Sequence, residues 1–201
     1  MKKLVLSTRN KHKIKEVEAI LNECLDKKVE LLSLDDIELF GEIEEDGKTF
    51  EENALIKARA AFEKSGIPSI ADDSGLAVNA LGGAPGIYSA RYASLDGHDA
   101  DDEENNILLL KNLKEKEDRS AAFVCAIAYV GNEGSFTVRG EAPGTILFEK
   151  EGKGGFGYDP LFYSTEAKAC FGTLPAEIKN KYSHRRKALE AFSKKWQEIK
   201  K

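Results

Sequence analysis

Residues 3–34, KLVLSTRNKHKIKEVEAILNECLDKKVELLSL, decide the fold. The run Lys3 to Ser7 is short and apolar, and it predicts a strand. Polar residues follow. Ile14, Val17, Ile20, Leu21, Cys24 and Leu25 then recur in steps of three and four, the spacing of one helical face. Val29 to Leu34 returns to a strand-like run. A strand, a helix and a strand within about thirty residues is the opening of an α/β fold.

The pattern continues outward. Asp35 to Lys48 is acidic and predicts a loop. Thr49 and Glu52 form a T-x-x-E capping box, so a second helix starts there. Gly66 and Pro68 stop it near Ser65. Ser69 to Asp72 predicts a strand, Asp73-Ser74-Gly75 a turn, and the next residues a strand through Leu81, ahead of a Gly82–Gly86 loop. A third helix is expected over Asp101 to Lys114, its two leading aspartates suiting the positive helix end. Arg119 to Val130 and Ser135 to Gly140 flank Gly131-Asn132-Glu133-Gly134, which reads as a hairpin. Thr145 to Phe148 predicts a further strand, Gly152 to Asp159 a glycine-rich loop. A last helix runs from Ser183 to near the end, with Leu189, Phe192, Trp196 and Ile199 facing inward. Early strand–helix alternation followed by a hairpin implies an α/β fold with a mixed sheet.

Composition limits the function. Of 201 residues, 41% are hydrophobic and 32% charged, enough apolar material for a sizeable core. The net charge of −5 argues against a non-specific nucleic-acid binder, which would be basic. The three cysteines, Cys24, Cys125 and Cys170, are far apart and form neither a disulfide framework nor a zinc motif. The first residues lack the apolar core of a signal peptide, and the longest apolar run, Ala121 to Val130, is too short to span a bilayer. A soluble, cytoplasmic protein with no membrane partner is the expectation.

Positive charge gathers in two places. Thr8-Arg9-Asn10-Lys11-His12-Lys13 carries three Lys or Arg and no acid; Lys179 to Lys187 carries five and no acid. Either run alone reads more readily as a solvated face. Both, however, enter a helix, where unpaired N–H groups and the dipole favour an anion, and that shared context brings the two readings level. Among the acidic residues, Asp72 and Asp73 follow an apolar strand, where neighbouring side chains point to opposite faces; the same residues also suit an ordinary turn. Glu45 precedes the capped helix, while Glu51 and Glu52 serve its start. A carboxylate from Glu45 and one from the Asp72-Asp73 pair would suit Mg2+, which takes one or two carboxylates with water and phosphate oxygens. With three histidines and no paired ligands, zinc is not indicated, and His98 reads as an exposed loop residue.

Basic segments and a hard-cation site together suggest nucleotide hydrolysis, which depends on positioning and charge stabilisation and needs no covalent nucleophile. Phe156-Gly157-Tyr158-Asp159 could stack a base, though both aromatics could equally belong to the core.

Several blocks, in order, resemble the inosine triphosphate pyrophosphatase family, also called Ham1-like or non-standard purine nucleotide pyrophosphatases. They are Ser7 to Lys13, Glu45 to Ala54, Ala71 to Leu76, Gly83 to Arg91, Gly155 to Phe162 and Ser183-His184-Arg185. The resemblance covers nearly the whole chain, residues 1–201, as a single domain. It implies an elongated α/β fold of two lobes, a long mixed sheet flanked by helices and a nucleotide cleft between the lobes. It implies Mg2+-dependent hydrolysis of ITP, dITP and XTP to monophosphate and pyrophosphate, cleansing the nucleotide pool, by a homodimer. By position, Thr8, Arg9, Asn10, Lys11, His12 and Lys13 would hold the triphosphate. Glu45 and Asp73 would bind metal, with Asp73 also the proton acceptor. Ser74, Phe156, Gly157, Tyr158, Asp159, Lys179, His184 and Arg185 would contact the nucleotide. Two alternatives remain at this point: a Maf-like pyrophosphatase of other modified nucleotides, and a nucleotide sensor without turnover.

Overall fold

A computed structural model describes residues 2–25, 28–94 and 100–199, with the side chains of Lys11 and His12 excepted. His98 lies outside the described residues. The chain divides into two compact units: Met1–Asp73 with Cys125–Gly140 and Arg186–Lys201, and Ser74–Val124 with Glu141–Arg185.

The first unit realises the opening pattern. β1 (Lys2–Leu6) is followed by α1 (Lys11–Cys24) and β2 (Val29–Leu32), and β1 pairs in parallel with both β2 and β3 (Ser69–Val78). β1 is buried on both faces, as a parallel strand covered on two sides must be. Leu4 and Leu6 join a core with Val17, Ile20 and Leu21 of α1 and Leu189, Phe192 and Trp196 of α5 (His184–Ile199). Val5 packs instead with Leu34 and with Ala61 of α2 (Phe50–Ser65). Ile199 departs from expectation, being 39% exposed at the last turn of α5.

The second unit is built around Leu76, Leu109, Phe123, Phe162 and Phe171. It holds α3 (Asp102–Asn112), β6 (Phe162–Ser164), β7 (Ala169–Cys170) and the short α4 (Ala176–Lys181). β4 (Ser120–Gly131) and β5 (Gly134–Ile146) have one half in each unit, as β3 does. The full sheet has seven strands in the order β2-β1-β3-β4-β5-β6-β7, and β5-β6-β7 are antiparallel, so the sheet is mixed.

Two expectations are corrected. Asp73-Ser74-Gly75 is no turn: β3 runs unbroken from Ser69 to Val78, with Gly75 and Leu76 buried and the Leu76 N–H donating to Ser89 Oγ at 2.8 Å. The strands expected at 135–140 and 145–148 are one, β5, with Phe148 outside it and exposed. Pro143 and Gly144 lie inside that strand. The Pro143 carbonyl accepts from Thr165 N–H at 3.1 Å. A Cβ on Gly144 would stand 2.3 Å from the Tyr163 carbonyl, so glycine lets β6 close on β5.

Candidate active site

In the first unit the site begins at the start of α2. Thr49 caps the helix, accepting from Glu52 N–H at 3.1 Å, while the Glu52 carboxylate reaches Lys48 N–H at 2.6 Å. The box is therefore closed one residue upstream of its usual partner. Asn53 and Lys57 are four residues apart and share a helix face. Lys57 Nζ lies 3.0 Å from Glu45 Oε2 and 2.9 Å from Asp73 Oδ1. Asn53 donates from Nδ2 to Asp73 Oδ2 at 3.4 Å and accepts from Gly47 N–H at 2.9 Å.

Strand alternation separates the two aspartates. Asp73 meets Lys57, whereas the buried Asp72 pairs with Lys13 Nζ at 2.8 Å. Ser74 shares its face of β3 with Asp72. Burial raises the Asp73 pKa; Lys57 opposes that shift and Glu45 adds to it. Burial works to lower the Lys57 pKa, but Asp73 and Glu45 outweigh it, and the net shift is upward, so the side chain stays an ammonium. Two carboxylates thus already gather one cation. They would suit Mg2+, an ion that takes one or two carboxylates together with water and phosphate oxygens. Among the described residues no group of three His, Cys, Asp or Glu side chains could hold a metal, and the three cysteines are free thiols.

The β1–α1 turn folds on itself. Asn10 Oδ1 accepts from Lys13 N–H at 3.1 Å and caps α1, and Thr8 Oγ1 accepts from Asn10 N–H at 3.2 Å. Arg9 turns to the next loop: Nη2 donates to the carbonyls of Leu39 at 2.6 Å and Gly41 at 2.8 Å, and Nε lies 3.3 Å from Asp35. Lys11 and His12 begin α1; their side chains lie outside the description. No acid occupies the first turn of α1, which leaves its dipole uncompensated there.

In the second unit, Lys179 Nζ lies 2.8 Å from Asp159 Oδ2 and 4.6 Å from the centre of the Phe156 ring. Asp159 also accepts from Phe156 N–H at 2.9 Å. A Cβ on Gly155, whose φ is +79°, would stand 2.2 Å from that carboxylate oxygen. The neighbouring aromatics separate. Phe156 is 63% exposed, whereas Tyr158 is 4% exposed, sits in the core, and donates its hydroxyl to the Ser89 carbonyl at 2.8 Å. Gly157 is held by Asn106 at its carbonyl and Asp102 at its N–H. Arg185 is buried, with Nη2 3.4 Å from Ser74 Oγ. The His184 ring stacks on Phe123 at 5.0 Å. Arg186, from the same basic run, pairs with Glu23 and Glu190.

Sequence reasoning missed Asn53 and Lys57. They interrupt a helix face on which Phe50, Ala54, Ala58 and Ala61 are buried, and only the structure shows that burial.

The family model described as the Ham1 family matches residues 4–195. A dITP/XTP pyrophosphatase of Geobacter sulfurreducens is 52% identical over 192 residues, covering 94% of each chain. One from Haemophilus influenzae is 45% identical, covering 96% of this chain and 98% of the relative. A solved Ham1 protein from Coxiella burnetii superposes with a TM-score of 0.89 at 39% identity, over 98% of this chain and all of that one.

Proposed function

Because the chain belongs to the Ham1 family and is a hydrolase of nucleoside triphosphates, we propose that it converts dITP, XTP and ITP to monophosphate and pyrophosphate with Mg2+. The unit of function is the whole chain, residues 1–201, working as a cytoplasmic homodimer that removes deaminated purines from the nucleotide pool. Neither nucleic acid nor membrane has a part in this reading. Among the described residues no helix is long and apolar enough to cross a membrane.

One observation carries the reading. The Lys57 ammonium lies within 3.0 Å of both Glu45 and Asp73, so these carboxylates form a cation-gathering pair on a loop and a strand. Glu45 and Asp73 would hold the Mg2+, which supplies charge neutralisation at the phosphate oxygens when bound. Asp73 takes the proton of the attacking water, its raised pKa suiting it to a base's task. Lys57 offsets the charge of the pair. The N-terminus of α1, with Thr8, Asn10 and Lys13, takes the triphosphate. Phe156 offers an exposed face to the base. His184 and Arg185 supply donors to a 6-oxo group, which hypoxanthine and xanthine carry and adenine lacks.

The test is a panel of nucleoside triphosphates with Mg2+, assayed for the first phosphorus product. ITP, dITP and XTP are expected to release pyrophosphate. ATP is expected to be a poor substrate, because buried donors left unpaired against its amino group discriminate strongly. Orthophosphate as the first product, or equal turnover of ATP and ITP, would refute the reading.

A further inference from the structure

Asn53 is 2% exposed on a helix face otherwise lined by buried apolar residues, Phe50, Ala54, Ala58 and Ala61. A buried amide is costly there unless its polar atoms are met. Both ends are met, and the partners fix which way the amide points: Gly47 N–H can only donate and so meets Oδ1, and the Asp73 carboxylate can only accept and so meets Nδ2. Gly47 lies two residues after Glu45. A Cβ on Gly47 would stand 2.5 Å from Asn53 Oδ1, so the loop is pressed against the amide.

We propose that Asn53 is a positioning residue whose amide ties the Glu45 loop to Asp73 and thereby sets the spacing of the two carboxylates that gather a cation. The inference rests on the reading of that pair as the Mg2+ site. An aspartate at 53 would set a second carboxylate against Asp73 with no donor to offer. A leucine would leave the Gly47 N–H without its acceptor.

The test compares Asn53→Ala and Asn53→Ser with the full-length protein and with Thr49→Ala. The last removes the helix cap but leaves the amide bridge alone. Mn2+ affinity without nucleotide is measured by electron paramagnetic resonance, alongside thermal melts and the Mg2+ dependence of kcat. Both Asn53 variants should bind Mn2+ about ten-fold more weakly, the lower end of what loss of a residue behind a metal ligand costs. Their Mg2+ requirement should rise in parallel, kcat should partly recover at high Mg2+, and KM for ITP should hold. Thr49→Ala should lower only the melting temperature. Asn53 variants that melt lower yet keep Mn2+ affinity would overturn the proposal, and so would failure of both to fold, since the amide would then be a fold determinant. A protein that binds no Mn2+ also overturns it. If the unmodified protein binds Mn2+ but releases no pyrophosphate, the functional reading fails while the Mn2+ comparison still decides the role of Asn53.

Discussion

Lys57 and Lys179 are almost equally buried, with side chains 14% and 13% exposed, and each holds a carboxylate oxygen within 3 Å. Their partners differ. Lys57 faces two carboxylates, Glu45 and Asp73, so one ammonium leaves that cluster negative. Lys179 pairs with Asp159, one charge against one, and turns its other side to the Phe156 ring. A surplus of negative charge in a half-buried place attracts a cation. A balanced pair beneath an exposed aromatic has no such surplus and presents a flat apolar face instead. The same residue type at the same depth therefore sits in a surplus of negative charge in one unit and in a balanced pair in the other.

The largest effect should come from the negative cluster. Asp73→Asn keeps the shape and removes both the charge and the basicity. Losing a general base costs about 10²–10⁴-fold in kcat, and losing a metal ligand adds to that. Asp72→Asn leaves the Asp73–Lys57 pair intact and frees Lys13 from its partner, so it should retain more activity or lose stability instead. The measurements are kcat for ITP at saturating Mg2+ and a melting curve. If Asp72→Asn is inactive but stable and Asp73→Asn turns over normally, the roles are reversed.

Stability should move the other way at Asp73. Burial raises its pKa above the unfolded-chain value, so between those two values the folded chain keeps a proton the unfolded chain has lost. Stability of the metal-free protein then falls as pH rises through that window. Urea titrations at a series of pH values should show a shallower fall in Asp73→Asn, and matching slopes would contradict the assignment of the raised pKa.

The balanced cluster predicts a binding effect. Phe156→Ala removes the exposed ring over Lys179 and leaves the Asp159 pair in place. Stacking of a base on an aromatic is worth about 1–3 kcal/mol, so KM for ITP should rise by the corresponding factor while kcat changes little. A collapse of kcat with KM unchanged would show that Phe156 serves the chemistry rather than the base.

What was legible in the sequence follows from which signals are local. The β1-α1-β2 opening, the Thr49 cap and the acidic start of α3 all depend on residues within a few positions of one another, and the structure has them. Glu45 could be singled out because a carboxylate on a loop ahead of a helix carries recognisable chemistry, whereas the choice of Asp73 over Asp72 leaned on the family resemblance. The turn at Asp73-Ser74-Gly75 was misread because its composition suits a turn, and what overrides composition there is burial of Leu76 and its bond to the distant Ser89. Tyr158 and Phe156 are two residues apart in one loop, and only the packing of the second unit's core separates a buried ring from an exposed one. Lys57 and Asn53 were invisible for a similar reason: a polar residue on a helix declares itself only when the face it interrupts is known to be buried.

The smallest expected effect compares the two units through their helix starts. Thr49 accepts from Glu52 N–H, but the Glu52 carboxylate returns to Lys48 rather than to the cap residue. Asp101 accepts from Glu104 N–H at 2.8 Å, and Glu104 returns to the Asp101 N–H at 3.1 Å, so that box is complete. Replacing such a cap by alanine typically costs about 1 kcal/mol. The aspartate also places a negative charge at the positive end of α3, worth a further ~0.3–1 kcal/mol at low salt. Asp101→Ala should therefore destabilise more than Thr49→Ala in urea titrations at low ionic strength, and the gap should narrow as salt screens the charge. Equal losses at every salt concentration would mean that the hydroxyl and the carboxylate cap by hydrogen bonding alone.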